Sequence, residues 1–257
     1  FARRTRCLGS RASSWKCSSK VGSRVSATCA KPTRVDGRSP TFERWTGCDR
    51  LSLDPGKARE SGPENVGVLL GPGLNLKRHP AGGRNFEYFS EDPYLSGVMG
   101  VEVTLAIQAH DIIAMAKHYV VNDQEYERFR TNVEIDEDVL RELYLLPFEM
   151  LVKDGEIASI MSAYNRVRGV YATEYRHTLH DVLRDDWGFE GYVQSDFWSV
   201  RSCAPSLNAG LDHEMPDAKW LNETNIKNAL NDTSLEMKTI DRALIRRYTQ
   251  MFRFGQF

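Results

Sequence analysis

One carboxylate and three cations frame the chemistry open to this chain. Asp196 follows the apolar run Tyr192–Ser195 directly, at the end of an expected strand. A carboxylate there can project into a cleft while its backbone is held. It could serve as a nucleophile, as a helix N-cap, or as one half of a surface ion pair. Arg84, Lys117 and His118 are donors, and charged donors make short, orienting hydrogen bonds to hydroxyl acceptors. Each also has a plainer reading. Lys117 could pair with an acidic neighbour such as Glu125, and His118 could be a hydrogen-bonded core histidine. Lys117 and His118 are adjacent, and neighbours in a regular strand face opposite ways. Both can serve one ligand only if the peptide there is irregular or cis.

These residues need elements to position them. Short β-branched runs are expected as strands at Val66–Leu70, Ile112–Tyr119, Ile157–Tyr164 and Tyr192–Ser195, with Asn208–Met215 as a candidate fifth. Helices are expected between them. The stretch 95–109 carries Val98, Val101, Leu105 and Ala109 on one face. The stretch 137–146 follows Asp136, with Pro147 breaking or kinking it. A third helix near 178–186 stops at Gly188. A last one near 237–252 places Ile240, Ala243, Leu244 and Met251 at core spacing. Strands alternating with helices imply a parallel sheet. Asn75, Arg84, Lys117-His118, Tyr164-Asn165 and Ser195-Asp196 all fall just past strand ends, the rim where a (β/α)8 barrel builds its site. A doubly wound sheet also binds ligands there, but no GxGxxG or GxxxxGK[ST] pattern is present.

Composition sets bounds on the whole. The 257 residues are 41% hydrophobic and 10% aromatic, enough for a packed core. Net charge is -1, which gives no reason to expect a nucleic-acid partner. No apolar run reaches the length of a membrane-spanning helix. The average hides a break, because residues 1–60 hold 14 Lys and Arg against 5 Asp and Glu. Four cysteines (Cys7, Cys17, Cys29, Cys48) lie there too, at spacings that fit no CxxC metal pattern. The division expected is a basic, Ser- and Cys-containing segment of doubtful structure at 1–64 and a folded domain at 65–257.

Within 65–257 lie GPGLNLKRHPAGGRNFEYFSEDPYLSG (71–97), KHYVVNDQEYERFR (117–130), IMSAYNRVRG (160–169), VQSDFW (193–198) and NAGLDHEMP (208–216). In order and spacing they resemble the N-terminal barrel domain of glycoside hydrolase family 3, the β-glucosidase family. The resemblance implies a TIM-type (β/α)8 barrel, here partial, with the early strands missing or replaced. It implies a retaining glycosidase acting on terminal non-reducing β-D-glucosyl or related residues through a covalent glycosyl-aspartate. Such an enzyme needs a nucleophilic carboxylate and an acid about 5–5.5 Å apart. By the resemblance Asp196 is the nucleophile, and Arg84, Lys117 and His118 hold the terminal sugar. Glu125 and Arg128 brace the site. Tyr164 offers its hydroxyl near the nucleophile. Met161 and Trp198 offer apolar and stacking surface, although Met161 can equally be core.

By the resemblance the general acid/base is expected from a second, α/β sandwich domain that would follow the barrel in the full-length protein. The expected ligand is a β-glucoside or short oligosaccharide, with no metal or other cofactor. The resemblance favours an extracellular or periplasmic location over a cytoplasmic one. The alternative is a catalytically inactive, truncated carbohydrate-binding remnant.

Overall fold

A computed structural model describes residues 66–257. The segment 1–64 and its four cysteines, for which doubtful structure was expected, lie outside the described residues.

Four parallel strands form the frame: β1 (Val68–Leu69), β2 (Ile113–Tyr119), β4 (Ser159–Ser162) and β7 (Tyr192–Ser195). They pair in the order β1-β2-β4-β7, which is chain order. Each pair is separated by a helical crossover. A doubly wound sheet would reverse direction at a switch point; this one never does. It is a segment of barrel wall, α/β and partial. A second, small sheet, β3 (Asn132–Val133), β5 (Arg166–Val167) and β6 (Val170–Tyr171), lies in the crossover loops.

The period of two along the strands sorts the side chains into two layers. Ala114, Ala116, Ile160 and Val193 face the helices and share a core with Phe148, Leu151, Leu179 and Leu183. Ile113, Met115, Met161 and Tyr192 face the other way and pack with Phe254. Lys117 continues this second row toward the strand's C-terminal end.

Helix α1 (Pro93–Gln108) opens as its sequence suggests, with Pro93 in the first turn and the Asp92 side chain accepting from the Leu95 N–H at 2.9 Å. Its buried face is not the expected apolar one. Ser96, Gly97, Gly100, Thr104 and Ile107 are buried, while Val98 and Leu105 are exposed. The reason is close packing. A Cβ on Gly100 would lie 2.6 Å from Leu74 and 2.8 Å from Leu151, so only small residues fit between α1 and the layer beneath.

The next helix also departs from expectation. It begins as α2 (Glu137–Val139), passes through a π-helical stretch (Leu140–Leu145) and continues as α3 (Leu146–Lys153). Pro147 does not end it. The proline sits in the first turn of α3, after the wider register, where no N–H is required. A second π-helical element, His177–Asp186, leads to Gly188 in a left-handed turn, where the sequence placed a stop.

Asn208–Met215 is not a strand. Helix α4 (Ala204–Ala209) occupies its start and ends at Gly210, whose φ of 116° suits glycine alone. The following residues form one β-bridge, Gln194 to His213, and hydrogen-bond to β7 around it, the Asp212 and His213 N–H groups donating to the Val193 carbonyl and the Ser195 N–H donating to the His213 carbonyl. Helices α5 (Glu223–Asn231) and α6 (Met237–Arg253) complete the described chain. Of the core residues expected on α6, Ala243 is buried but Leu244 is exposed. Beyond α6, the Gln256 side-chain amide donates to the Gly67 carbonyl at 2.5 Å. No described helix is long and apolar enough to cross a membrane.

Candidate active site

The C-terminal ends of β2, β4 and β7 converge on Asp196. Its backbone extends the β4–β7 ladder by one bond, the Asp196 N–H donating to the Ser162 carbonyl at 3.0 Å. The Ser199 hydroxyl and N–H close a turn onto the Asp196 carbonyl. The carboxylate is therefore held from behind. Its Oδ1 accepts the Phe197 N–H at 2.7 Å. Its Oδ2 is buried and has no hydrogen-bond partner among the described residues. It faces His118 Nε2 at 3.5 Å. No helix starts here and no lysine or arginine ion-pairs with it among the described residues, so neither alternative reading of Asp196 matches its surroundings.

His118 is held on every other side. Asn75 accepts the His118 N–H at 2.8 Å, donates to the His118 carbonyl at 3.0 Å and meets ring Nδ1 at 3.1 Å. The Tyr88 hydroxyl lies 3.2 Å from the same nitrogen. Burial, reinforced by the positive charges of Arg84, Lys117 and Arg128, holds the imidazole well below its ordinary pKa, so the ring is neutral. The Lys117–His118 peptide is cis, as the sequence anticipated, and so is Tyr119–Val120.

Lys117 pairs with Glu87 at 2.8 Å and not with Glu125. Glu87 also accepts from Arg84, three residues back on the 3₁₀ turn Asn85–Glu87. One partly buried carboxylate thus fixes both cations. Burial alone would raise the pKa of Glu87, but the hydrogen bonds from Arg84 and Lys117 bring it below the ordinary value. Glu125 is engaged elsewhere, by Arg128 at 2.7 Å and by Asn122 at 3.1 Å. Arg128 in turn lies over the Tyr164 ring, 4.3 Å from its centroid. Burial, with the Asp196 charge beside it, pushes the Tyr164 phenol above its usual pKa, so it stays a donor. Asp196 itself is raised by burial, against the opposing effects of the Phe197 N–H, Tyr164, Arg84 and Arg128.

Of the nine residues expected to build a site, the structure brings Asp196, Arg84, Lys117, His118, Tyr164, Glu125 and Arg128 into one linked cluster. Trp198 follows two residues after Asp196 and is half exposed, with its ring edge-on to Phe197 at 6.0 Å. Met161 stands apart. It is buried on the inner row with Ile113, Met115, Tyr192 and Phe254, the core role that was its other reading. Glu87, Tyr88 and the clamp made by Asn75 were not anticipated. Glu87 was legible in principle, since Arg84 and Glu87 are spaced for a turn-borne ion pair. Asp123 was also missed. It accepts the Leu76 N–H at 2.5 Å, and burial lifts its pKa to about 7.

This arrangement offers an unsatisfied carboxylate oxygen beside neutral and cationic donors. It suits attack on an electrophilic carbon that carries hydroxyl neighbours. Comparison with known proteins gives a matching picture. Residues 58–249 match the model of the glycosyl hydrolase family 3 N-terminal domain. The chain is 41% identical over 183 residues to thermostable beta-glucosidase B of Acetivibrio thermocellus, covering 71% of this chain and 24% of that protein. It is 42% identical over 185 residues to an exo-alpha-(1->6)-L-arabinopyranosidase of Bifidobacterium breve, covering 72% and 24%. Among solved structures, a GH3 beta-glucosidase from Bifidobacterium adolescentis superposes with a TM-score of 0.74 at 40% identity, over 77% of this chain and 29% of that one. Beta-glucosidase 3B from Thermotoga neapolitana in complex with glucose gives 0.73 at 36% identity, over 77% and 29%. The chain spans about a quarter of the length of the curated relatives it matches.

Proposed function

The chain belongs to glycosyl hydrolase family 3, and on that premise we propose that Asp196 is the nucleophile of a retaining glycosidase acting on terminal β-D-glucosyl or related residues. The observation that carries the reading is the buried, unpartnered Oδ2 of Asp196, facing a neutral imidazole. In this reading Oδ2 attacks the anomeric carbon from below. The C1–O bond to the aglycone breaks as the ester bond forms. Water then cleaves the ester, and two inversions leave the configuration retained.

Arg84, Lys117 and His118 hold the sugar hydroxyls. Tyr164 steadies the carboxylate before attack. The departing oxygen needs a proton. Glu87 and Glu125 are committed to cations, so neither suits the acid. In this reading that role falls to the second, α/β sandwich domain expected in the full-length protein. The substrate is a β-glucoside or short oligosaccharide.

The test uses a 2-deoxy-2-fluoro-β-glucoside with a dinitrophenolate leaving group, which departs without protonation. Intact mass and peptide mapping should place one sugar on Asp196 and none on Asp196→Asn. A label on another residue, or an undiminished label in the Asn variant, would refute the assignment. Sugar binding without any label would favour the non-catalytic remnant.

A further inference from the structure

Outward from Tyr164 the structure builds an alternating stack of rings and guanidinium groups. Arg128 lies over Tyr164 at 4.3 Å and over Phe129 at 5.5 Å. Arg201 lies over Phe129 at 5.8 Å and over Tyr171 at 5.3 Å. Arg166 closes the stack over Tyr171 at 4.5 Å. Two of these cations are uncompensated. Arg166 donates to the Tyr171 hydroxyl at 2.9 Å, and Arg201 donates to the carbonyls of Trp198 and Val200. Among the described residues neither meets a carboxylate within 4.0 Å, whereas Arg128 has Glu125. The nearby Glu174 accepts from the Ser202 hydroxyl instead. Burial tends to raise the Tyr171 phenol, yet Arg166 and Arg201 outweigh it and bring its pKa below the ordinary value.

The stack is rigid where it needs to be. Arg166 and Tyr171 are paired across the β5–β6 hairpin. Arg201 is fixed to the loop that carries Asp196 and Trp198. Apolar ring surface is open beside it, Phe129 being 37% and Trp198 55% exposed. A guanidinium stacked on a ring keeps its in-plane N–H fork free for a planar anion. Flat ring surface beside two guanidinium groups that have no carboxylate partner among the described residues matches a ligand that is both aromatic and acidic.

We propose that this stack is the aglycone side of the site and receives a planar aromatic aglycone bearing a carboxylate. Its placement as an aglycone site rests on Asp196 being the glycosidic nucleophile; binding of the acid does not. On that geometry the sugar lies over Arg84, Lys117 and His118. The leaving group points across Asp196 toward Trp198, and its carboxylate meets the N–H groups that Arg166 and Arg201 leave over from their bonds to Tyr171, Trp198 and Val200.

The test is equilibrium binding by the full chain of 4-hydroxybenzoate and of its neutral counterpart 4-hydroxybenzyl alcohol, by calorimetry at low salt. The acid should bind about tenfold tighter, and added salt should narrow the difference. In the double variant Arg166→Gln/Arg201→Gln the two phenols should bind alike. Lysine at both positions should give an intermediate ratio, keeping charge but losing the fork. Because the comparison is a ratio within one protein, partial loss of folded material cannot imitate the result. Equal binding of acid and alcohol to the unaltered chain overturns the inference, as does no measurable binding of the acid. Neither outcome touches labelling of Asp196, and failure of that labelling would leave the preference for the acid in place.

Discussion

A carboxylate that is to attack carbon must be buried, ionised and short of partners at once, and folding penalises each of these. Burial raises the Asp196 pKa above the ordinary carboxylate value, so the folded state holds its proton more tightly than the unfolded chain does. Stability from this group is therefore present at low pH and is lost as pH rises from the unfolded pKa through the folded one. Asp196→Asn lacks that loss. It should melt a few degrees higher than the unaltered chain at neutral pH, with no gain in acid; a thermal scan at two pH values decides. The same shift moves chemistry. The acid limb of the Asp196 labelling rate should lie above the pKa of a free aspartate, which a pH–rate profile measures.

Glu87 makes a separate prediction. Glu87→Gln removes the charge that fixes Arg84 and Lys117, and should weaken saturation by the fluoro-sugar about tenfold while altering the limiting rate less. A purely structural role would lower the melting temperature without that split. At this scale the sequence was informative about which residues matter and poor about what holds them. Asp196, Lys117 and His118 stood at strand ends. The Arg84–Glu87 spacing is visible locally, but Glu87 reaches Lys117, and Asn75 reaches His118, only because loop 74–92 folds over the sheet, and no local pattern announces that longer contact.

Elements carry the site by how closely they approach. Helix α1 lies against the layer beneath it because its inward face is Ser96, Gly97 and Gly100. Gly100→Ala should cost about 1–3 kcal/mol, since the added methyl meets Leu74 and Leu151. Gly97→Ala should cost less, because its first neighbour is the flexible end of Met150. Denaturant titration of the two variants gives the ranking. The reading of α1 from sequence failed here for a physical reason: apolar periodicity marks a face that can be buried by bulk, whereas tight helix packing selects absence of bulk. Strands β2, β4 and β7 were legible because their β-branched runs end in turn-forming or polar residues. The segment 208–215 has only Ala209, Leu211 and Met215 as apolar residues, and it belongs partly to α4 and partly to a stretch with one β-bridge to the sheet.

For the whole molecule, the consequence of a partial barrel is surface. Helix α6 presents Ile245 and Phe252 at 64% and 69% exposure, with Leu244 and Tyr248 on the same side. Patches of this kind drive association. Ile245→Lys/Phe252→Lys should leave the fold stable to within about 0.5 kcal/mol and reduce self-association in sedimentation. A large loss of stability would mean that this face is covered in the folded chain. The parallel architecture could be read from alternating element types, but the extent of the wall could not, because it depends on which strands find neighbours.

The amide of Gln256 closes on the carbonyl of Gly67 across 189 positions of sequence. A bond of that span forms only after everything between has been made and has settled, so its loop-closure cost is borne late. The first described strand pairs with β2, but its Gly67 end gains this last contact only when the final helix is in place. Its amides should be among the latest to gain protection during refolding and among the first to exchange in the native protein.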